Sequence, residues 1–469
     1  EILSGLVGSE MCIRDRSCSN GFCSLMNGGL SMVEMKSGYK MTEVGVIPED
    51  WEVKELSSIS AIKSGKRLPK GSLVTSSKTP YPYIRVIDMN MGYLNLSNIM
   101  YVPENVQPMI SKYIISKNDI YISVAGTLGL VGKIPEELDG ANLTENANRI
   151  TEIQCNRDYL MYYMMSPLIQ NVIEAERTIG AQPKLALQRI RDFYIVLPRD
   201  KREQTAIATA LSDVDSLISA LTKKIEKKKA IKQGLMQQLL TGKKRLPGYK
   251  GLALVKNEKM EYPGDWDVVK LGDLCRIITK QTGFDYSATI KPSLRTSRGL
   301  GVLPFIQNKD FEGYKINFNT DFYIPKDVAM HFPQILLDEP SLLVSISGRI
   351  GNVGYYLSSK LAFIGGAICV AKFWKKEYIP WVMLYLQSSK GQNEIFMNEK
   401  AGAQHNITVE AIRNFRIPMP SISEQTAVVN ILSDCDSEIA ALEEKRDKYK
   451  EIKQGMMQQL LTGKIRLIK

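Results

Sequence analysis

The sequence predicts an α+β fold: two mixed α/β domains joined by two long coiled-coil helices, arranged as a pseudo-two-fold internal duplication. Three observations lead there. Residues 203–246 and 424–467 are copies of one 44-residue segment, identical at 29 positions with an offset of 221. Each copy carries apolar residues at alternating three- and four-residue spacing without a proline, the pattern of one buried helical face. Ahead of each copy lies a stretch of short strand-like and helical runs separated by turn residues.

The helices come first in the argument because their signal is strongest. In the first copy the seam is read at Leu211, Val214, Ile218, Leu221 and Ile225, continuing through Ile231, Leu235 and Leu239. In the second it is read at Leu432, Cys435, Ile439 and Leu442, then Tyr449, Ile452, Met456 and Leu460. Such spacing makes a coiled-coil seam. Each copy closes on Thr-Gly-Lys, so Gly242 and Gly463 fit left-handed helix caps. Roughly 40 residues at 1.5 Å each make a rod of about 60 Å. A rod with one apolar stripe needs a partner, and each copy offers the other the same stripe.

The flanking stretches echo one another more weakly. Gly126, Gly129 and Gly132 recur as Gly348, Gly351 and Gly354, and Asp50-Trp51 recurs as Asp265-Trp266. Strands are expected at 83–86, 120–124 and 195–197, and again at 342–346 and 367–370; helices are expected near 157–176 and 378–399. The domain plan is therefore 41–202, helix 203–246, 260–423, helix 424–467. Each domain is large enough to bury its own core. Residues 1–34 show no clear period and match nothing downstream, and they read as a non-native or disordered leader, with a native start at Met32, Met35 or Met41.

Composition narrows the class. The chain has 469 residues, 44% apolar and 24% charged, with a net charge of +11. That balance favours a polyanionic partner, nucleic acid ahead of a membrane surface. No run of 18 apolar residues occurs, so no membrane span is expected. The seven cysteines include no CxxC pair and leave one over, which speaks against a disulfide framework or a zinc site and for reduced thiols in a cytoplasmic protein.

This layout resembles the specificity subunits of type I restriction-modification systems, from about Gly45 to the end. The residues that carry the resemblance are Glu203-Gln204-Thr205-Ala206-Ile207 and 233–242, with their copies at 424–428 and 454–463. A domain that opens on Asp-Trp and closes on a proline followed by Glu-Gln (Pro198 to Gln204; Pro420 to Gln425) belongs to the same pattern. The resemblance implies two target recognition domains, each reading one half of a split double-stranded DNA site. It implies spacer helices that pack antiparallel, set the gap and dock two methyltransferase (modification) subunits, with restriction/translocase subunits added. It also implies a chain that is not itself an enzyme and holds no cofactor, with S-adenosylmethionine, ATP and Mg on the partner subunits. A rod of about 60 Å spans roughly 18 base pairs, a suitable scale for such a site.

Phosphate contacts need Lys and Arg, and base reading needs side chains that make paired hydrogen bonds. The densest run in domain one is Lys63, Lys66, Arg67 and Lys70 around Gly65. Its counterpart is Lys280, Gln281 and Gly283, followed by Lys291, Arg295 and Arg298. Either a groove-facing loop or a solvated surface loop fits these runs. Arg85 stands where Gln307 stands in domain two, beside Asp88 and Asp310. Gln182 and Lys184, and in domain two Gln404, His405 and Asn406, follow matched Gly-Ala turns and read as ligand-facing. The paired Gly-x-x-Gly-x-x-Gly runs read as structural turns rather than phosphate cradles. The basic stretch 223–232 reads as a solvated face.

Enzyme readings find little support. Leu336-Leu337-Asp338-Glu339-Pro340 looks like an ATPase metal strand, but no GxxxxGK[ST] loop accompanies it. The sequence lacks the Asn/Asp-Pro-Pro-aromatic site of a DNA methyltransferase, Glu52-Val53-Lys54 lacks an acidic nuclease partner, and only two histidines are present. Two alternatives stay open: a specificity subunit of another multi-subunit restriction enzyme, and a coiled-coil scaffold that binds no DNA.

Overall fold

A computed structural model describes residues 37–176, 184–249, 251–256, 261–357, 359–398 and 406–468. The leader read as non-native lies outside the described residues, as do Gln182, Gln404 and His405. The chain forms two compact units, residues 1–208 with 457–469, and residues 209–456. No described helix is long and apolar enough to cross a membrane.

In the first unit, Trp51–Glu55 pairs antiparallel with Tyr194–Pro198, so the two ends of the domain meet. A four-stranded antiparallel sheet follows in the order Ala61–Ser64, Ala147–Thr151, Ile120–Ser123, Val131–Lys133. A second sheet orders Met100–Tyr101, Pro82–Ile84, Ala141–Leu143 and Ile114–Ile115, with one parallel pair at its centre. Helix α1 (Arg157–Met165) starts on Asn156, whose side chain accepts from the Tyr159 amide. The single helical stretch expected at 157–176 is two helices. Ser166 adopts extended backbone and Pro167 opens α2 (Pro167–Ala175), because the residue before a proline avoids the helical region. Tyr159 and Trp51 are fully buried, and the Tyr159 hydroxyl donates to the Val196 carbonyl at 2.8 Å, tying α1 to the closing strand.

The first repeated segment is helix α3 (Lys201–Leu239), 39 residues long. Beyond it the second unit repeats the plan. Asp267–Lys270 pairs with Arg416–Met419, and the main sheet runs Cys275–Lys280, Ile368–Phe373, Ser341–Ser345, Val353–Tyr356. The second sheet again has one parallel pair, Val302–Ile306 beside Ala362–Ile364. The expected helix at 378–399 is likewise split, into α4 (Ile379–Gln387) and α5 (Ser389–Met397), with Ser388 extended between them. Trp381 fills the position of Tyr159 and donates to the Pro418 carbonyl at 2.8 Å. Its ring meets Trp266 edge-on at 5.6 Å.

Helix α6 (Ile422–Leu460) is the second repeated segment. Within the second unit it runs antiparallel to α3, since Lys228 pairs with Glu438, Lys232 with Asp436 at 2.6 Å, and Asp215 with Lys453 at 2.7 Å. Leu211, Leu221, Ile225, Leu432 and Ile439 are buried; Val214, Ile218, Cys435, Leu442 and Tyr449 are half-buried. Two seam positions need correction. Ile231 and Ile452 are 46% and 40% exposed. The unbroken heptad line passes instead through Lys228 and Lys232 on α3 and through Arg446 and Lys453 on α6, all half-buried. Their carbon stems fill the seam while their charged ends reach acidic partners. The stretch 223–232 is therefore only in part a solvated face: Lys228, Lys229 and Lys232 pair with residues of α6.

Both helices stop before the repeat does. Gly242 and Gly463 have φ of 66° and 70°, and a Cβ on them would lie 2.2 Å from Pro263 and 2.4 Å from Pro48. Glycine is needed there for both reasons. The remaining tail of each repeat then reaches an Asp-Trp pair. Arg245 bonds Asp265 and the buried Glu424 and lies over the Trp266 ring. In the first unit Arg466 does the same with Asp50, Glu203 and Trp51.

Candidate nucleic-acid interface

The main sheet of each domain ends in a cluster of loops. In domain one, Gly65 donates to the Ala147 carbonyl at 3.0 Å and Lys66 to the Leu143 carbonyl at 2.8 Å. A Cβ on Gly65 would sit 2.0 Å from the Thr144 oxygen, so this close approach requires glycine. Val124 donates to Asn146, Leu185 donates to Val124, and Ala125 bridges Lys184. The Lys66-Arg67 loop, the turn at Gly126, the 144–146 segment and Lys184 thus share one end of the sheet. Beside them a cleft of about 520 Å³ is lined by Arg67, Lys70, Leu73, Tyr83 and Glu145.

The electrostatics of this cluster are mixed. Arg67 bonds Glu145 at 2.6 Å. Burial, the largest influence, pushes the Glu145 carboxyl up, but the hydrogen bonds from Arg67 and its neighbours outweigh it and hold the group below its ordinary value. The Lys66 ammonium lies 5.6 Å from the centre of the Tyr113 ring. Arg67 and Lys70 remain exposed.

Domain two builds the same end from different side chains. Lys280 closes its strand at the surface. Ile346 donates to Ala367, Ile407 donates to Ile346, and Ser347 bridges Asn406. Asn308 donates to the Ser347 carbonyl at 2.6 Å, while its own carbonyl oxygen is buried without a partner among the described residues. The exposed Arg349 stands at the tip of the adjoining turn.

Several residues singled out in the sequence fall elsewhere. Gln281 is 3% exposed and donates inward to Ile364, so it is corrected to an interior residue. The Arg85 guanidinium is taken up by Asp88, at 3.0 and 2.7 Å, and by the Asn98 carbonyl. Gln307 is half-buried, and its backbone amide bonds Asp310 as that of Arg85 bonds Asp88, so these positions share a turn. Lys63 reaches along its strand to Glu152, away from the loop cluster. Arg295 is bridged to Tyr323 at the edge of the second sheet, and Lys291 and Arg298 are exposed.

The Gly-x-x-Gly turns are structural, with φ of 77° and 75° in domain one and 72° and 85° in domain two. The third glycine packs closely: a Cβ on Gly132 would lie 2.3 Å from the Tyr121 hydroxyl. The ATPase-like Asp338-Glu339 pair is spent on ion pairs to Lys372 and to Arg276 and Lys376. Sequence reasoning missed Asn308 and Arg349. Aligning the two turns residue by residue would have found Arg349, because it stands opposite Thr127.

A family profile described as the type I restriction modification DNA specificity domain matches the chain twice, over residues 48–233 and 263–454. The specificity subunit assigned to the type I restriction enzyme MjaX of Methanocaldococcus jannaschii is 30% identical over 448 residues, spanning 92% of this chain and 97% of its own. The MjaVIII specificity subunit of that organism is 25% identical over 436 residues, spanning 90% and 94%. The EcoBI specificity subunit of Escherichia coli is 22% identical over 393 residues, spanning 82% and 78%. Among solved structures, a chain from work on assembly and conformational transition of the type I R-M system aligns with a TM-score of 0.53 and 16% identity, over 89% of this chain and 99% of its own. The type I restriction-modification S subunit from M. genitalium aligns with a TM-score of 0.50 and 15% identity, over 87% and 96%. At these identities the solved structures speak for the fold alone.

Proposed function

This chain belongs to the type I restriction-modification DNA specificity family, and from that premise we propose that it is the DNA-reading subunit of such a complex, each of its two domains reading one half of a split duplex site. The observation that carries the reading is the pair of loop clusters. One chain holds the same sheet end twice, furnished with Lys66, Arg67, Thr127 and Lys184 in one copy and Lys280, Asn308, Arg349 and Asn406 in the other. Equal frames with unequal polar side chains suit two readers of different sequence.

The subunit is not catalytic in this reading. Chemistry falls to partners: two methyltransferase subunits that use S-adenosylmethionine, and restriction/translocase subunits that use ATP and Mg. The helices act as spacer and dock. Support for docking comes from two matched sites, the exposed Ile231 beside the half-buried Gly234 and the exposed Ile452 beside the half-buried Gly455. Each glycine lies inside a helix with open space where a side chain would stand. A glycine in a helix interior costs about 1 kcal/mol, so keeping it in both copies fits the close approach of another helix.

The test is duplex binding by the assembled complex across a salt series. The reading expects tight, site-dependent binding whose logarithm falls linearly with log salt concentration. A complex that forms but binds no duplex favours a scaffold instead.

A further inference from the structure

The two Gly-x-x-Gly turns are one frame built twice. The second glycine amide donates to a serine carbonyl, Gly129 to Ser123 at 3.0 Å and Gly351 to Ser345 at 3.3 Å. The serine hydroxyl accepts from the next residue at 2.8 Å in both, from Leu130 and from Asn352. A helical glutamine clamps the second glycine carbonyl, Gln170 at 3.1 Å and Gln392 at 3.0 Å. The same glutamine nitrogen also donates to a carbonyl of the preceding helix, Met164 or Leu386. The frame therefore holds its tip in one orientation in each domain, next to the strand end that bridges Lys184 or Asn406.

The tip is where the copies part. Domain one places Thr127 there and domain two places Arg349, both exposed. Among the described residues none pairs with the Arg349 guanidinium, whereas Arg67, Arg85 and Arg245 all have carboxylate partners. We propose that Arg349 is a specificity-determining residue that reads a guanine edge, and that Thr127 fills the same place without that preference. A guanidinium matches the O6 and N7 acceptors of guanine in the major groove with two parallel hydrogen bonds, and a threonine cannot. The rigid turn supplies the fixed approach such a pair needs. The inference rests on the DNA-reading function and adds a residue and a base to it.

The experiment selects binding sites from a random duplex library with the full chain assembled with its methyltransferase subunits. Wild type is compared with Arg349→Ala, Arg349→Thr, Arg349→Lys and Thr127→Ala. Arg349→Thr installs what the same frame already carries in domain one, so its folding is not in doubt. The expected result is a loss of about tenfold or more in preference for guanine at one or two positions of a single half-site, in the Ala and Thr variants. The Lys variant keeps the salt slope but loses part of the preference, and Thr127→Ala leaves that half-site unchanged. An unaltered motif in Arg349→Ala overturns the inference and leaves the DNA-reading function standing. So does a uniform loss across all sequences with the salt slope reduced by about one, the mark of a phosphate contact. A wild-type complex that selects no motif overturns the DNA-reading function and this inference together.

Discussion

Arg466 donates to the carboxylate of Glu203, 263 positions earlier in the chain, at 2.7 Å, and Glu203 is 1% exposed. This pair ties the tail of the second repeat to the start of the first helix. The Trp51 indole donates to the same carboxylate at 3.1 Å, so Glu203 is satisfied from two sides. In the second unit Arg245 holds Glu424, but the Trp266 indole nitrogen is buried with no acceptor among the described residues.

That asymmetry gives the first prediction. Arg466→Ala leaves a buried carboxylate without its main partner and is expected to destabilise the first unit by about 3 kcal/mol. Trp51→Phe removes a hydrogen bond to a charged group and should cost about 1.5 to 3 kcal/mol, while Trp266→Phe removes none and should cost less. Hydrogen exchange of the peptides covering 461–468 and 263–270 separates these effects. Equal costs for the two tryptophan variants contradict the account.

Acid should loosen the same anchors. The Arg466 hydrogen bond, the largest influence, holds the Asp50 carboxyl below its ordinary 3.8, and Arg245 does the same to Asp265. A carboxyl whose folded value is depressed contributes stability that is complete above its unfolded value and is lost as pH falls through the folded one. Asp50→Asn and Asp265→Asn should therefore be less stable than wild type at about pH 7, and the difference should shrink as pH falls through and below the usual carboxylate range. Unfolding midpoints across that range check this. A stability difference that does not shrink in acid contradicts it.

Two glycine substitutions should act in opposite directions. Gly234→Ala places a methyl in open space on a helix and should stabilise α3 by about 0.5 to 1 kcal/mol. Gly463→Ala drives a Cβ to 2.4 Å from Pro48 at a φ of 70° and should destabilise by more than 1 kcal/mol, roughly. Thermal melts followed by helical circular dichroism measure both. If Gly234 faces a docked helix, the stabilised Gly234→Ala chain should nonetheless assemble less tightly with its methyltransferase.

The antiparallel register rests in part on Lys232 and Asp436, whose side chains are 16% and 21% exposed. Lys232→Glu should weaken the helix pair, and adding Asp436→Lys should recover about 1 kcal/mol of the loss. A double-mutant cycle with no coupling would remove this pair from the determinants of register.

The duplication and the helices were legible because the evidence for them is local and repeated: spacing, absence of proline, and a capping glycine in each copy. The apolar pattern points to Ile231 and Ile452, whereas the seam runs through Lys232 and Lys453, because a lysine stem packs as carbon while its end finds an acid across the pair. The helix breaks at Ser166 and Ser388 do not show in the apolar pattern, although Pro167 marks the first. The loop clusters were legible only in part. Lys66, Arg67, Lys184 and Asn406 come together at sheet ends, whereas Gln281 is drawn inward because its amide satisfies a buried carbonyl. No composition argument separates an arginine that faces solvent from Arg85, whose guanidinium is held by a carboxylate three residues on.

The central claim is that one chain carries two different readers. Its most direct test is to co-express the full chain with the cognate methyltransferase subunit in a host without DNA methylation of its own, then map modified bases genome-wide. The account predicts one asymmetric motif in two halves separated by a fixed number of unspecified bases. A soluble, co-purifying complex that methylates a single unsplit motif, or none, would contradict it.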